Sequence, residues 1–429
     1  MLPYWLIRMM WNRSAKEFFR LSRALVCGIR CGLTASPGRS PSLGKVPLGK
    51  RLRYCFNKPD FMETTRSQRI SGLDLLRALA ILLVLLAHYP KTGSGLFTRA
   101  LNLGWTGVDL FFVLSGYLIG GQLFKSLAEG EQVGYGIFYL RRLLRTLPSY
   151  YVVLGVYFLL SPAPGWRYLV FLQNFDNPKT FAPSWSLCVE EQFYLVFPLF
   201  VWLLHRSRWL IWSIPAMLGL EFVIRAVTWL QVRPDLLPEP HALETYMSYL
   251  YYPTTCRLDG IVLGVGIAAL KWFRPVLWMS LMARGNQLLC ASGVLLAASV
   301  LGLWKHYSFL CSTTGFTLLN LSFAFLTASA LSHTSLLARI HAWGAKQIAL
   351  LSYSVYLTHS LALELTGHIF DGFHSLPAAL TAMALILLFA GLLHFGVERP
   401  SLSLRDRLLA KPSTPHYAEF PIASPLSSH

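Results

Sequence analysis

The run GLDLLRALAILLVLLAHYP, residues 72–90, is apolar over the length of a membrane crossing yet carries Asp74, Arg77 and His88. With a bilayer as solvent, such a segment satisfies its backbone polar groups only as a helix. Ionisable side chains inside it are costly and mark function. Arg77 and His88 are eleven residues apart, which at about 100° per residue is three turns plus about 20°. The two therefore face one way, roughly 16 Å apart along the axis. Asp74, three residues before Arg77, falls near the same stripe and is suited to orient and partly neutralise it.

Nine further apolar stretches follow, so the first is one member of a bundle. The ten expected spans are 72–89, 106–124, 147–160, 187–204, 209–229, 249–270, 287–304, 309–331, 347–366 and 376–397, the third being the shortest. At 54% hydrophobic and 14% charged residues, with mean hydropathy +0.47, the chain is too apolar for an ordinary soluble protein. Long apolar windows without short alternating segments favour helices over a transmembrane barrel. The expected fold is an all-α, polytopic membrane helix bundle of about ten transmembrane helices.

The formal net charge of +18 raises the question of nucleic acid, and the placement of the charges answers it. If the N-terminus is cytoplasmic, 29 of the 38 Lys and Arg residues fall on the cytoplasmic side and six on the other. That is the bias of membrane topology, and it predicts both termini in the cytoplasm. No basic module with base-reading or stacking groups accompanies it. The seven cysteines show neither a paired CxxC nor a His partner at zinc spacing, so no metal site is expected.

Three regions are expected: a basic N-terminal extension over 1–68, a membrane domain over 69–400 and a disordered cytoplasmic tail over 401–429. The extension opens with an aromatic and basic stretch suited to an interfacial helix. Met62 is an equally plausible start, because METTRSQRISG is a short basic leader to the first span.

Depth in this topology sorts the other polar groups. Asp109, in GWTGVDLFFVLSGYLIGG, enters the second span near the depth of His88 and could fix the tautomer of its imidazole; equally, it caps that helix at its wet end. Gly116 and Gly120 form a GxxxG pair suited to close helix packing. In PSWSLCVEEQFYLVFP, Glu190 and Glu191 point about 100° apart, so one at most shares a cavity with His88; Glu190 is favoured, a structural ion pair with a buried Arg such as Arg257 being the alternative. Arg257 and Asp259, in CRLDGIVLGVG, either bind an anion of the substrate or neutralise other buried charges. Arg142 and Arg145, in FYLRRLLRTLPSYY, share a helical face suited to phosphate oxygens, although any cytoplasmic loop end carries such a cluster. Tyr356 and His359, in LSYSVYLTHS, are candidates for the acceptor site; the alternative for His359 is a hydrogen-bonded helix contact.

Taken in order, the runs GLDLLRALAILLVLLAHYP, GVDLFFVLSGYLIG, FYLRRLLRTLPSYY, SWSLCVEEQFYLVFPL, CRLDGIVLGV and LSYSVYLTHS strongly resemble acyltransferase family 3, the integral-membrane O-acyltransferases acting on carbohydrates. The likeness covers about residues 69–400. It implies a donor of cytoplasmic acyl-CoA, most simply acetyl-CoA, an acceptor hydroxyl on an envelope or exported glycan such as lipopolysaccharide or another polysaccharide, and a bacterial inner (cytoplasmic) membrane location. It also implies that Arg77 and His88 are the family's Arg-x10-His pair and that Arg142 and Arg145 are its cytoplasmic arginine pair. Within these residues there is no fused extracytoplasmic hydrolase-like domain, which leaves acyl delivery to the membrane domain. In the mechanism this suggests, Arg142 and Arg145 hold the CoA phosphates and Arg77 steadies the donor or the oxyanion. His88 acts as general base or carries the acyl group covalently. The rival class is a proton-coupled transporter, which would also bury such charges; the internal repeat typical of that class is not evident.

Overall fold

The computed structural model describes residues 71–88, 102–160, 165–176, 178, 180–205, 207, 209–302, 307–340, 343–370 and 375–410. The N-terminal extension, Met62 and the tail beyond residue 410 lie outside the described residues. The described chain is helical, with no strand among its elements.

The main helices are α1 (Ser71–His88), α2 (Thr106–Glu129), α3 (Tyr135–Leu160), α4 (Ser184–Leu204), α5 (Trp209–Val232), α6 (Asp259–Phe273), α7 (Pro275–Met282), α8 (Gly285–Gly302), α9 (Phe316–Leu331), α10 (Ala345–Phe370), α11 (Leu376–Leu393) and α12 (Arg399–Leu409). Eight helices among the described residues are long and apolar enough to cross a membrane. A ninth span results if α6 and α7, bent by 110° at Arg274, count as one. Each of the ten expected stretches does hold a helix, but the apolar part of α8, Gly285–Val300, falls below spanning length. The chain is a multi-pass membrane protein.

α2 is the centre of the bundle. It packs against α1, α6 and α9, and 72% of its apolar window is buried, against 17% for the peripheral span that begins at Leu210. Small residues set this arrangement: a Cβ on Gly116 would strike the Ile261 carbonyl oxygen of α6, and one on Gly264 would strike that of Val113. Gly116 therefore packs backbone against backbone on α6 and Gly120 lies against Val265 and Ala268, the close helix packing that the GxxxG spacing predicted. α2 stops at Gly130, whose φ of +72° is a left-handed conformation that glycine adopts without strain. α1 in turn packs against α10, which pairs with α11.

Three expected boundaries are corrected. The third span is 26 residues long, about 39 Å, because the amphipathic YGIFYLRRLLRTL segment continues the helix through Pro148. The sixth does not begin at 249: a short helix at His241–Tyr246, a π turn at Met247–Tyr251 and a 3-10 turn at Thr254–Cys256 precede α6. Pro253 interrupts any longer helix there. Finally, the first residues of the expected disordered tail form α12, an amphipathic helix that packs on α3.

The segment between α3 and α4 is held by amide side chains. Asn174 donates to the Tyr252 carbonyl at 3.1 Å and to Thr254 Oγ1 at 2.8 Å, while Gln192 donates to the Phe171 carbonyl at 2.6 Å and to Asn174 Oδ1 at 3.1 Å. Thr254 closes the ring by donating to Gln192 Oε1 at 2.6 Å. Each of these groups has a partner, as burial demands.

Candidate active site

Five helices converge on a cavity of about 220 Å³. α1 contributes Arg77, α2 contributes Ser115 and Gln122, α3 contributes Arg142 and Arg145, and α4 contributes Ser186, Glu190 and Tyr194; Tyr353 and Tyr356 of α10 complete it. Arg142 and Arg145 share a face, as their spacing predicted, whereas the adjacent Arg141 is exposed. The Arg142 guanidinium lies 5.2 Å from the ring centre of Tyr194, whose hydroxyl bonds Ser115. Tyr353 donates to the Thr146 carbonyl at 2.8 Å and Tyr356 to the Pro183 carbonyl at 2.9 Å, with Ser186 bonded to the same tyrosine. The walls are thus pinned to neighbouring helices rather than left to their rotamers.

Asp74 and Arg77 form the expected i, i+3 ion pair at 3.8 Å. Arg77 was placed on the donor side and does join Arg142 and Arg145 in one cavity. Glu190 shares that cavity too, which corrects its expected partnership with His88 and equally the alternative pairing with Arg257. Six residues into α4 it has descended about 9 Å, to the depth reached by the arginines of α3. Glu191 turns to Thr146 of α3.

His88 ends α1 and meets a different residue from the one expected. Its ring lies edge-on to His359 of α10, with centroids 4.7 Å apart and planes at 70°. Tyr356, a cavity wall, is 5.8 Å from His359 on the same centroid measure, so one tyrosine adjoins both the arginine cavity and the imidazole pair.

Asp109 neither holds His88 nor caps α2 toward water. It is fully buried and accepts from Arg257 Nη2 at 2.9 Å and from Asn320 Nδ2 at 3.2 Å. Asn320 also donates to Asp259 Oδ1 at 3.0 Å, Arg225 donates to Asp259 Oδ2 at 3.1 Å, and Glu221 accepts from the Leu258 N–H at 2.8 Å. The Arg257 guanidinium sits against Phe316, Tyr251 and Trp185, 4.0, 4.6 and 5.4 Å from their ring centres. Arg257 and Asp259 have no accessible surface to offer a substrate, so their assignment to substrate binding is corrected to the neutralisation of other buried charges. Arg225, Glu221, Asn320, Tyr194 and Ser115 were not singled out from the sequence. For Arg225 and Glu221 the signal was present, since both are intramembrane charges one helical turn apart.

A family model described as an acyltransferase domain matches residues 70–395. The chain is 28% identical over 331 residues to YrhL of Bacillus subtilis strain 168, which carries the name peptidoglycan O-acetyltransferase; the match covers 70% of this chain and 49% of that protein. It is also 28% identical over 323 residues to the O-acetyltransferase OatA of Staphylococcus aureus strain NCTC 8325, covering 68% and 50%. A Staphylococcus aureus COL protein named for O-acetyltransferase activity is 30% identical over 235 residues, or 49% of this chain and 36% of its own length. The chain thus spans between about a third and a half of the length of the curated relatives it matches. No solved structure matches.

Proposed function

The chain belongs to the acyltransferase-domain family, and from that premise we propose that it is a membrane O-acyltransferase that moves an acetyl group from acetyl-CoA to a hydroxyl of an envelope glycan. The observation that carries this reading is the junction at Tyr356 of a cavity holding three guanidinium groups with a pair of imidazoles. Guanidinium groups suit the phosphates of CoA, and an imidazole suits removal of a hydroxyl proton. A cavity of about 220 Å³ is below the roughly 300–1,000 Å³ usual for a drug-sized ligand. It therefore takes only the phosphate end of the donor, at Arg142 and Arg145, and the thioester runs on past Tyr356 toward His88.

In this scheme His88 Nε2 removes the proton of the sugar hydroxyl, the oxygen bonds to the acyl carbon, and the carbon–sulfur bond breaks. The proton passes to the departing thiolate, which leaves as CoA. Arg77, about 16 Å from His88 along α1, steadies the donor in the arginine cavity. The donor approaches from the cytoplasmic face of a bacterial cytoplasmic membrane and the glycan from the other. The name YrhL carries makes peptidoglycan the first acceptor to try.

The test incubates membranes containing wild type or His88→Ala with radiolabelled acetyl-CoA and peptidoglycan or other envelope glycans. General-base catalysis is worth about 100- to 10,000-fold, so the variant should lose transfer by that order while remaining inserted in the membrane. Equal transfer by both forms removes His88 from the chemistry. No transfer by either, with substrate carried across sealed vesicles, replaces the enzyme by a transporter.

A further inference from the structure

The two imidazoles that meet are held in the same tautomer. His88 Nδ1 lies 2.9 Å from the Val84 carbonyl oxygen, and His359 Nδ1 lies 2.7 Å from that of Tyr356 and 3.3 Å from that of Val355. A carbonyl only accepts, so each Nδ1 carries the hydrogen and each Nε2 presents a lone pair. His88 is exposed at the end of α1, while His359 has no accessible surface. Its Nε2 has no hydrogen-bond partner among the described residues. A buried acceptor left this way costs free energy in the resting protein, unless a donor is supplied during the working cycle.

We propose that this donor is His88 itself. His359 is a positioning residue that acts through His88: when His88 takes a proton on Nε2, His359 Nε2 accepts the new N–H, and the two rings hold one proton between them. This inference rests on His88 being the base of the proposed reaction. The accounts balance without another reactant. The proton leaves the acceptor hydroxyl, resides on the imidazole pair while the oxygen–carbon bond forms, and is returned to sulfur as the carbon–sulfur bond breaks. The ring centroids, 4.7 Å apart, put the two imidazoles within reach of a nitrogen–nitrogen hydrogen bond. Two imidazolium ions at this separation repel strongly in a low-dielectric interior, so the pair stops at one proton.

The surroundings leave this role to His359. On α1, His88 is its ring neighbour. On α10, Tyr356 is its aromatic neighbour, and Glu364 lies further along the helix. On α2, Asp109 is committed to Arg257 and Asn320. On α3, Arg142 and Arg145 face the cavity and Tyr150 donates to the Tyr168 carbonyl. Beyond α11, which has no ionisable side chain, His394 and Glu398 pair with each other and Glu398 accepts from Ser354. Asp74 and Arg77 lie near the opposite end of α1.

The test uses the full chain in nanodiscs as wild type, His359→Phe and His359→Gln. Diethyl pyrocarbonate modifies neutral imidazole, so its rate at His88, read by peptide mass spectrometry across pH 4–9, reports the titration of that ring without any turnover. Acceptance by His359 stabilises the His88 imidazolium. The wild-type midpoint should therefore lie above that of His359→Phe by about one pH unit, equivalent to about tenfold in proton affinity. His359→Gln, whose carboxamide oxygen also accepts, should restore it toward wild type. In acetyl transfer the Phe variant should lose about tenfold or more in kcat with KM for acetyl-CoA unchanged, the signature of an interaction made after binding. The same His88 midpoint in all three proteins overturns the proposal even if His359→Phe is inactive. A shifted midpoint in a wild type that transfers no label supports the pairing and counts against the acetyl-transfer reading.

Discussion

Two sets of charged side chains lie inside this bundle, and their surroundings give them opposite duties. Arg142 lines a cavity, so replacing it should touch the donor rather than the fold: Arg142→Ala raises KM for acetyl-CoA about tenfold or more in the transfer assay, while exposed Arg141→Ala stays near wild type. Arg257 lies among buried partners, and Arg257→Leu leaves the Asp109 carboxylate without its guanidinium. Breaking one side of a buried pair costs about 3–5 kcal/mol, so thermal unfolding in detergent should show a severe loss. Adding Asp109→Leu should recover part of it, as coupled sites do. The cavity face of Arg142 and Arg145 was legible from a three-residue spacing. The partner of Asp109 was not, because 148 residues separate it from Arg257 and only tertiary packing brings the two together. Depth alone could not distinguish a carboxylate beside His88 from one beside another base. Glu190 misled for the same reason.

Among the elements, α2 and α6 approach so closely that side-chain size is decisive. Gly116→Val drives a branched side chain into the Ile261 backbone, which cannot yield like a side chain. The variant should lose about 1–3 kcal/mol of stability or fail to accumulate as monodisperse protein. Gly121, five residues on, has nothing within 4 Å of its would-be Cβ, and Gly121→Ala should be tolerated in the same measurement. Hydropathy located the long apolar helices but not the short α7, and the GxxxG spacing located this contact. Boundaries were less legible where an amphipathic segment prolonged a helix, as before Pro148 in α3, or where Pro253 and a π turn interrupted an otherwise apolar window.

For the whole molecule, the segregation of Lys and Arg predicts both ends of the chain in the cytoplasm. A green fluorescent fusion at the C-terminus should therefore fluoresce and an alkaline phosphatase fusion should be inactive; the reverse would invert the direction of transfer proposed here. The same helix α2 enters both charged systems. Asp109, near its start, is tied into the buried ionic cluster with α6 and α9, and Ser115, six residues on, is part of the cavity wall. One wall is thereby anchored like a doorframe, and any movement that admits the donor or releases CoA falls to the opposite leaf, α1 with α10. Cross-linking α2 to α6 should leave turnover intact, whereas cross-linking α1 to α2 should stall it with product still inside.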